Sequence, residues 1–173
     1  MMILTTPRLT LTPFQPADWA FFLALRQDPV NMQFMAPIST VEQIRQTFEA
    51  RRANPEAFIL RAAGEATPLG EAGLLISQPH PEVAEVGYSV VQTAQGKGYA
   101  SEALRALCEH GLHTLGLEAI HAWALADNAG SVRVLEKLGF ERIQVLEKAY
   151  LLNGVYHDDC QFRLVASHFT RKA

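Results

Sequence analysis

The stretch Gln95-Gly96-Lys97-Gly98-Tyr99-Ala100-Ser101-Glu102, QGKGYASE, sets two glycines and a lysine between an apolar run and an amphipathic one. Glycines in such a place serve a positive φ or a close approach of the backbone to something else. Behind them Ala100, Ala103, Leu104, Leu107, Cys108, Gly111, Leu112 and Leu115 follow the 3, 4, 7 spacing of a helix buried along one face. A strand, a glycine turn and a helix in succession bring N–H groups together at a helix start, where the dipole favours an anion.

Two phosphate-loop patterns fail here on spacing. A Walker A loop needs its lysine after the second glycine with a hydroxyl residue next, whereas Lys97 precedes Gly98. A dinucleotide fingerprint needs a third glycine where Ser101 stands, in a unit that opens a long βαβ repeat, and this one lies past the middle of the chain. Two readings stay open on the octapeptide alone. Either amides from Gly96 to Ser101 cradle a pyrophosphate, or the glycines serve only a strand-to-helix turn.

Outward from this point the pattern alternates between strand and helix. Arg8 to Thr12 alternates apolar and polar as a strand that Pro13 and Pro16 close. Trp19, Phe22, Leu23 and Leu25 make a helix face ending near Asp28-Pro29, and Ser39-Thr40-Val41-Glu42 reads as a capping box for a helix to about Arg52, with Ser39 and Glu42 as its reciprocal pair. Phe58 to Ala62, Leu69 to Ser77 and Val83 to Val91 read as strands with turns at Gly64 and at Gln78 to Pro81. After the long helix, Gly116 marks a stop, Leu117 to Ala126 a strand, and Ser131 to Leu138 a short helix ended by Gly139. Phe140 to Leu152 and Asp159 to Ala166 close the chain as strands, with Asn153-Gly154 as the turn. The order implies a mixed sheet flanked by helices: α/β, or α+β under a stricter convention.

Composition bounds the partners. With 173 residues, 49% of them hydrophobic and 19% charged, the chain can bury a sizeable core and is expected to form one domain over residues 1–173. A formal charge of -3 argues against a nucleic-acid face. Cys108 and Cys160 form neither a disulfide framework nor a metal-ligand cluster, which fits a reducing cytoplasm. The N-terminus lacks a secretory pattern and no run approaches the about 18 apolar residues of a membrane span, so neither membrane nor export is expected. His110 and His113 are expected on the polar face of the long helix, beside Glu109, as solvated side chains with no metal.

Several segments together resemble the GNAT superfamily of acyl-CoA-dependent N-acyltransferases. Gln95-x-x-Gly98-x-Ala100 matches its [R/Q]-x-x-G-x-[G/A] pyrophosphate loop, and Glu85-Val86-Gly87-Tyr88-Ser89-Val90 looks like its splayed fourth strand. Asn128-Ala129-Gly130-Ser131 through Leu138-Gly139-Phe140 is similar to its second cofactor motif, N-x-x-S-x-x-v-l-e-k-l-G-F. Thr6-Pro7-Arg8-Leu9-Thr10-Leu11 and Asn153-Gly154-Val155-Tyr156-His157-Asp158 resemble the opening and closing segments of one branch, the Rim-type acetyltransferases of protein N-termini. Two departures stand out: Thr12 occupies the place of that branch's usual arginine, and the frequent tyrosine acid after the second motif is not evident.

The resemblance implies a mostly antiparallel mixed sheet with splayed central strands, and acetyl-CoA as cosubstrate with no metal. Its pantetheine would lie along the backbone of Ser89, Val90 and Val91. The amides of Gly96, Lys97, Gly98, Tyr99, Ala100 and Ser101 would take the pyrophosphate, with Gln95 steadying the loop. Asn128 is suited to bond the cofactor's amides or simply to cap the helix behind it. Ser131 would donate to the departing thiolate, or satisfy helix-start N–H groups. An attacking amine must lose its proton, since an α-amino group titrates near 8 and lysine above 10. Glu85 is the implied general base, on the premise that apolar burial raises its pKa; the alternative is a strand glutamate paired with an arginine. Asp158 and Asp159 could shape the acceptor pocket or close a turn. The expected acceptor is a primary amine, on a protein N-terminus or a small molecule, and a monomer and a homodimer both fit. Rival functions are a non-catalytic acyl-CoA-binding regulatory module and a nucleotide-binding protein, which affinity for CoA against ATP and NAD would separate.

Overall fold

The computed structural model describes residues 2–169. The chain forms two compact units, Met1–Gly73 with Tyr88–Ala106, and Leu74–Gly87 with Leu107–Ala173.

The first unit begins with a two-residue strand, β1 (Leu4–Thr5), paired to β2 (Leu9–Pro13). In β2 Leu9 and Leu11 are fully buried while Thr10 and Thr12 are not, which is the alternation its sequence shows. A 3₁₀ turn at Pro16–Asp18 leads into α1 (Trp19–Gln27). Asp28 then accepts the Val30 N–H at 2.9 Å and, with Pro29 at the first helical position, starts the short α2 (Pro29–Met32). The next helix, α3 (Val41–Ala53), is capped one residue later than expected. Thr40 Oγ1 accepts the Gln43 N–H and Gln43 Oε1 accepts the Thr40 N–H, so the box is Thr40 with Gln43 and not Ser39 with Glu42. Both frames satisfy the motif. The observed one leaves Glu42 in the first turn, where its charge suits the helix dipole.

β2 pairs antiparallel with β3 (Ala57–Ala62), and β3 with β4 (Pro68–Ile76). Against these strands α1 and α3 bury Phe22, Ile44 and Phe48 together with Phe14, Ala57 and Ile59. Three edge-on ring pairs, Phe14–Phe22, Phe14–Phe48 and Trp19–Phe48, have centroids 5.7, 5.8 and 5.3 Å apart. Each such pair adds about 0.5–1.5 kcal/mol beyond area burial.

Both β4 and β5 (Val83–Val90) have residues in each unit, as does α4 (Tyr99–Glu109). In the second unit α4 widens into a π-helical turn, His110–Thr114, in which the Leu115 N–H bonds the His110 carbonyl at 2.9 Å. His110 is buried with Gly111 and Leu112, and it lies three residues after buried Leu107 and seven after buried Ala103. The expectation of a solvated His110 is therefore wrong, while His113 is exposed. β5 runs parallel to β6 (Ala119–Leu125) through the pairs Val83↔Ala119, Ala84↔Ile120 and Glu85↔His121, and the ladder goes no further among the described residues. α5 (Ala129–Lys137) follows, then the long hairpin of β7 (Glu141–Leu152) and β8 (Val155–Val165). Asn153 and Gly154, at φ 51° and 81°, are its two-residue loop, with both φ positive as a type I′ turn requires. β8 starts four residues before the expected Asp159, because the ladder continues to Leu152↔Val155 with side chains mostly in solvent and no apolar alternation to announce it.

The strands hydrogen-bond in the order β1-β2-β3-β4-β5-β6-β8-β7, a mixed, mostly antiparallel sheet flanked by helices. Cys108 and Cys160 are free, buried thiols. Among the described residues no helix is long and apolar enough to cross a membrane, and no cluster of three or more His, Cys, Asp or Glu side chains is placed to hold a metal ion.

Candidate active site

In the first unit the QGKGYASE stretch forms an exposed loop leading into α4. Gly96 and Gly98 take φ values of 75° and 82°, a region that costs other residues about 1–2 kcal/mol. Gly98 is the residue whose carbonyl accepts the first helical bond, from the Glu102 N–H at 3.1 Å. The N–H groups of Tyr99, Ala100 and Ser101 thus have no carbonyl partner within the helix, and they lie at its positive end. The two positive φ values turn the chain into α4, whose first amides, at half-buried Tyr99, Ala100 and Ser101, follow the exposed glycines.

Gln95 is a brace in this geometry. Its Nε2 donates to the Val90 carbonyl at 3.0 Å and to Asn31 Oδ1 at 3.2 Å, tying the loop's start to the end of β5 and to α2. Val91 donates to the Leu69 carbonyl at 2.8 Å and accepts from the Ala94 N–H at 2.9 Å. Val91's main chain and the Val90 carbonyl are therefore engaged within the fold.

At the other end of the loop stands Arg8, a residue that the sequence pattern alone does not single out. Its Nη1 donates to the Lys97 carbonyl at 2.8 Å, its Nε to Glu102 Oε1 at 2.8 Å, and its guanidinium lies 4.6 Å from the Tyr99 ring centre. Glu102 also accepts from the Arg8 N–H at 2.9 Å and from the Thr6 hydroxyl. Desolvation pulls the Glu102 pKa up, but the bonds from Thr6 and Arg8 and the Arg8 charge outweigh it and hold the carboxyl below its ordinary value.

In the second unit Asn128 Oδ1 accepts the Ser131 N–H at 3.3 Å, so Asn128 caps α5 and Ser131 lies in its first turn. Glu85, His121 and Arg163 form a row across β5, β6 and β8, in register as Glu85↔His121 and His121↔Arg163. Glu85 is exposed, so the apolar burial expected around it is absent. Its neighbour His121 is half-buried, and desolvation, then the Arg163 charge, lower its pKa against the opposing pull of Glu85. The imidazole is thereby kept neutral at physiological pH. Beyond this row, His157 Nδ1 lies 2.9 Å from Asp127 Oδ2, next to the Asn128 cap. Asp158 accepts the Lys148 N–H at 2.8 Å where β7 shifts register between Leu146 and Tyr150 and Lys148 has φ 49°. Burial raises the Asp159 pKa, opposed by a hydrogen bond from the Cys160 backbone.

Residues 8–141 match the model of the acetyltransferase (GNAT) domain, and that span contains the glycine loop, Glu85 and the Asn128–Ser131 segment. The chain belongs to the GNAT acetyltransferase family. It is 27% identical to the N-acetyltransferase p20 of Bacillus licheniformis over 178 aligned positions, covering 98% of this chain and 99% of the relative. Two solved structures share the fold. The spermidine N-acetyltransferase of Vibrio cholerae, in complex with CoA and spermine, has a TM-score of 0.83 at 22% identity, over 94% of this chain and 98% of that one. A ribosomal L7/L12 α-N-protein acetyltransferase in complex with coenzyme A has a TM-score of 0.81 at 19% identity, over 95% of this chain and 98% of that one. The GNAT fold expected from the sequence is the one observed.

Within the GNAT frame, sequence reasoning missed Arg8 and His121 for the same reason. Each gains its meaning from a partner far along the chain, Glu102 for Arg8 and Glu85 for His121, and no local spacing signals such a pair.

Proposed function

We propose that the chain transfers an acetyl group from acetyl-CoA to a primary amine by direct attack on the thioester. The observation that carries this reading is the loop conformation: glycines at φ 75° and 82° turn the backbone so that consecutive amides open at the α4 N-terminus, within the span that matches the family. A diphosphate, with oxygens that accept several N–H bonds at once, suits such a corner better than any neutral group. Gly96 to Ser101 hold it, Gln95 braces the loop, and the pantetheine lies along the backbone of Ser89 to Val91. Asn128 contributes its amide nitrogen, since its oxygen is spent on the α5 cap.

In the transfer step the amine nitrogen forms a bond to the thioester carbonyl carbon, a tetrahedral oxyanion develops, and the C–S bond then breaks. The amine proton passes to Glu85, directly or through a water, while Ser131 donates a hydrogen bond to the departing CoA thiolate, which then takes its proton from water. The neutral His121 beside Glu85 keeps a second cation away from the incoming ammonium group. The acceptor is an amine on a protein N-terminus or on a small molecule. Thr6 to Leu11 and the Gly154 to Asp158 segment favour the Rim-type, N-terminal choice, and the fold neighbour that acts on spermidine supports the small-amine one. The enzyme works as one acetyltransferase domain in the cytoplasm.

Calorimetric titration with CoA, ATP and NAD, followed by thiol release across a panel of amines and N-terminal peptides, tests the reading. Saturable CoA binding and amine-dependent thiol release are expected. Binding of ATP or NAD in preference to CoA would refute it.

A further inference from the structure

The Thr6-Pro7-Arg8 segment sits at the opposite end of the first unit's sequence from the glycine loop, yet its side chains converge on that loop. Arg8 reaches two separate points: the Lys97 carbonyl between the two glycines, and the Glu102 carboxylate in the first turn of α4. One planar group thereby fixes the spacing between loop and helix start, which a single-point donor cannot do. Its Nη2 stands 3.2 Å from where a Cβ on Gly98 would be. The face of the same guanidinium covers Tyr99. Thr6 donates its hydroxyl to the same carboxylate while accepting the Leu9 N–H at 2.9 Å, so the anchor is itself tied into the start of β2.

Charge gives a second argument. Glu102 lies in the first turn of α4, and a bare carboxylate there would repel an anion arriving at the helix start. A carboxylate is tolerable at that position because Arg8 neutralises it and uses it as an anchor.

We infer that Arg8 is a positioning residue for the diphosphate of CoA: it holds the Gly96–Gly98 turn at a fixed distance from the α4 N-terminus and cancels the Glu102 charge. The inference rests on the acetyl-CoA reading above. Arg8 need not touch the ligand; it sets the geometry of the amides that do. The cost of losing it therefore falls on the diphosphate and spares the thioester chemistry.

The test compares Arg8→Ala and Arg8→Lys with wild type in two measurements: the Kd for CoA by calorimetry, and the ratio of kcat/KM for acetyl-CoA to that for acetyl-pantetheine, which lacks the diphosphate. Removing two charge-assisted hydrogen bonds predicts a CoA Kd about tenfold higher and a ratio about tenfold lower for Arg8→Ala. Arg8→Lys keeps the charge but cannot bridge both partners, so it is expected to stay within about threefold of Arg8→Ala. Should Arg8→Ala fail to fold, Arg8→Lys is read alone against wild type by the same ratio. An unchanged ratio in the folded variants, or full recovery in Arg8→Lys, overturns the inference. Failure of wild type itself to bind CoA would instead overturn the acetyl-CoA reading.

Discussion

Substituting Gly98 by alanine puts the loop's conformation directly to the test. At φ 82° an alanine carries left-handed strain of about 1–2 kcal/mol. The nearest obstacle to its Cβ, Arg8 Nη2 at 3.2 Å, is the end of a flexible side chain and can yield by a few tenths of an ångström. Backbone strain is thus the larger effect. An exposed loop relieves such strain by relaxing in the free protein, and ligand binding must then restore it. Affinity for CoA is expected to fall by the corresponding factor, about 5- to 30-fold. Gly64→Ala is the control: that glycine has φ 79° with no neighbour within 4 Å of a Cβ, and lies in the turn between β3 and β4. It carries the same strain and should lower thermal stability while leaving the CoA Kd within twofold of wild type. Calorimetric titration of both variants reads the difference. If Gly98→Ala binds CoA as wild type does, or if Gly64→Ala weakens binding equally, the loop amides do not hold the ligand.

Three further outcomes follow from the side-chain chemistry. Glu85→Gln is expected to lower kcat at neutral pH and to flatten the pH–rate profile, while the acetyl-CoA Kd stays near wild type; an unchanged profile removes Glu85 from the proton path. Glu71, 5% exposed, is bonded by Arg26 at 3.2 Å and lies 3.6 Å from Arg51, so Glu71→Ala removes a buried carboxylate from beside two partly exposed guanidinium groups and should cost about 2 kcal/mol in denaturant unfolding. The Glu102 pKa is lowered by folding, so its contribution to stability is complete above its ordinary 4.5 and is lost as pH falls through the lower folded value. Glu102→Gln should therefore unfold with less dependence on pH below 4.5 than wild type does, and identical acid titrations would contradict the Thr6–Arg8–Glu102 network.

Local signals made most of the fold legible. Asn153-Gly154 dictates its turn through the need for two positive φ values, the capping segment places the start of α3 within a residue or two, the apolar period locates the start of α4, and Gly139 marks the end of α5. The failures came where a wider context decides. β1, two residues long, has no period to read, and α2 hides behind a proline that reads as a helix stop yet also starts the next helix. The burial of His110 accords with the helical period, which sets it three residues after Leu107 and seven after Ala103. At the site, the glycine loop, Gln95 and the Asn128 cap were readable from local motifs. Arg8 and His121 were not, because strand register and long-range bonds bring their partners to them. The apolar neighbours Val83, Val86 and Tyr88 suggest a buried setting for Glu85, but on a strand successive side chains alternate between faces, and the Glu85 side chain is exposed.

The central claim is that main-chain amides of Gly96 to Ser101 grip the diphosphate of CoA. Amide chemical-shift mapping of the ¹⁵N-labelled protein, titrated with CoA and separately with pantetheine, tests it most directly. The account predicts that CoA shifts the amides of residues 96–101 and that pantetheine leaves them largely unmoved while shifting those near Ser89 and Val90. Equal shifts with both ligands, or CoA-induced shifts confined to other segments, would contradict it.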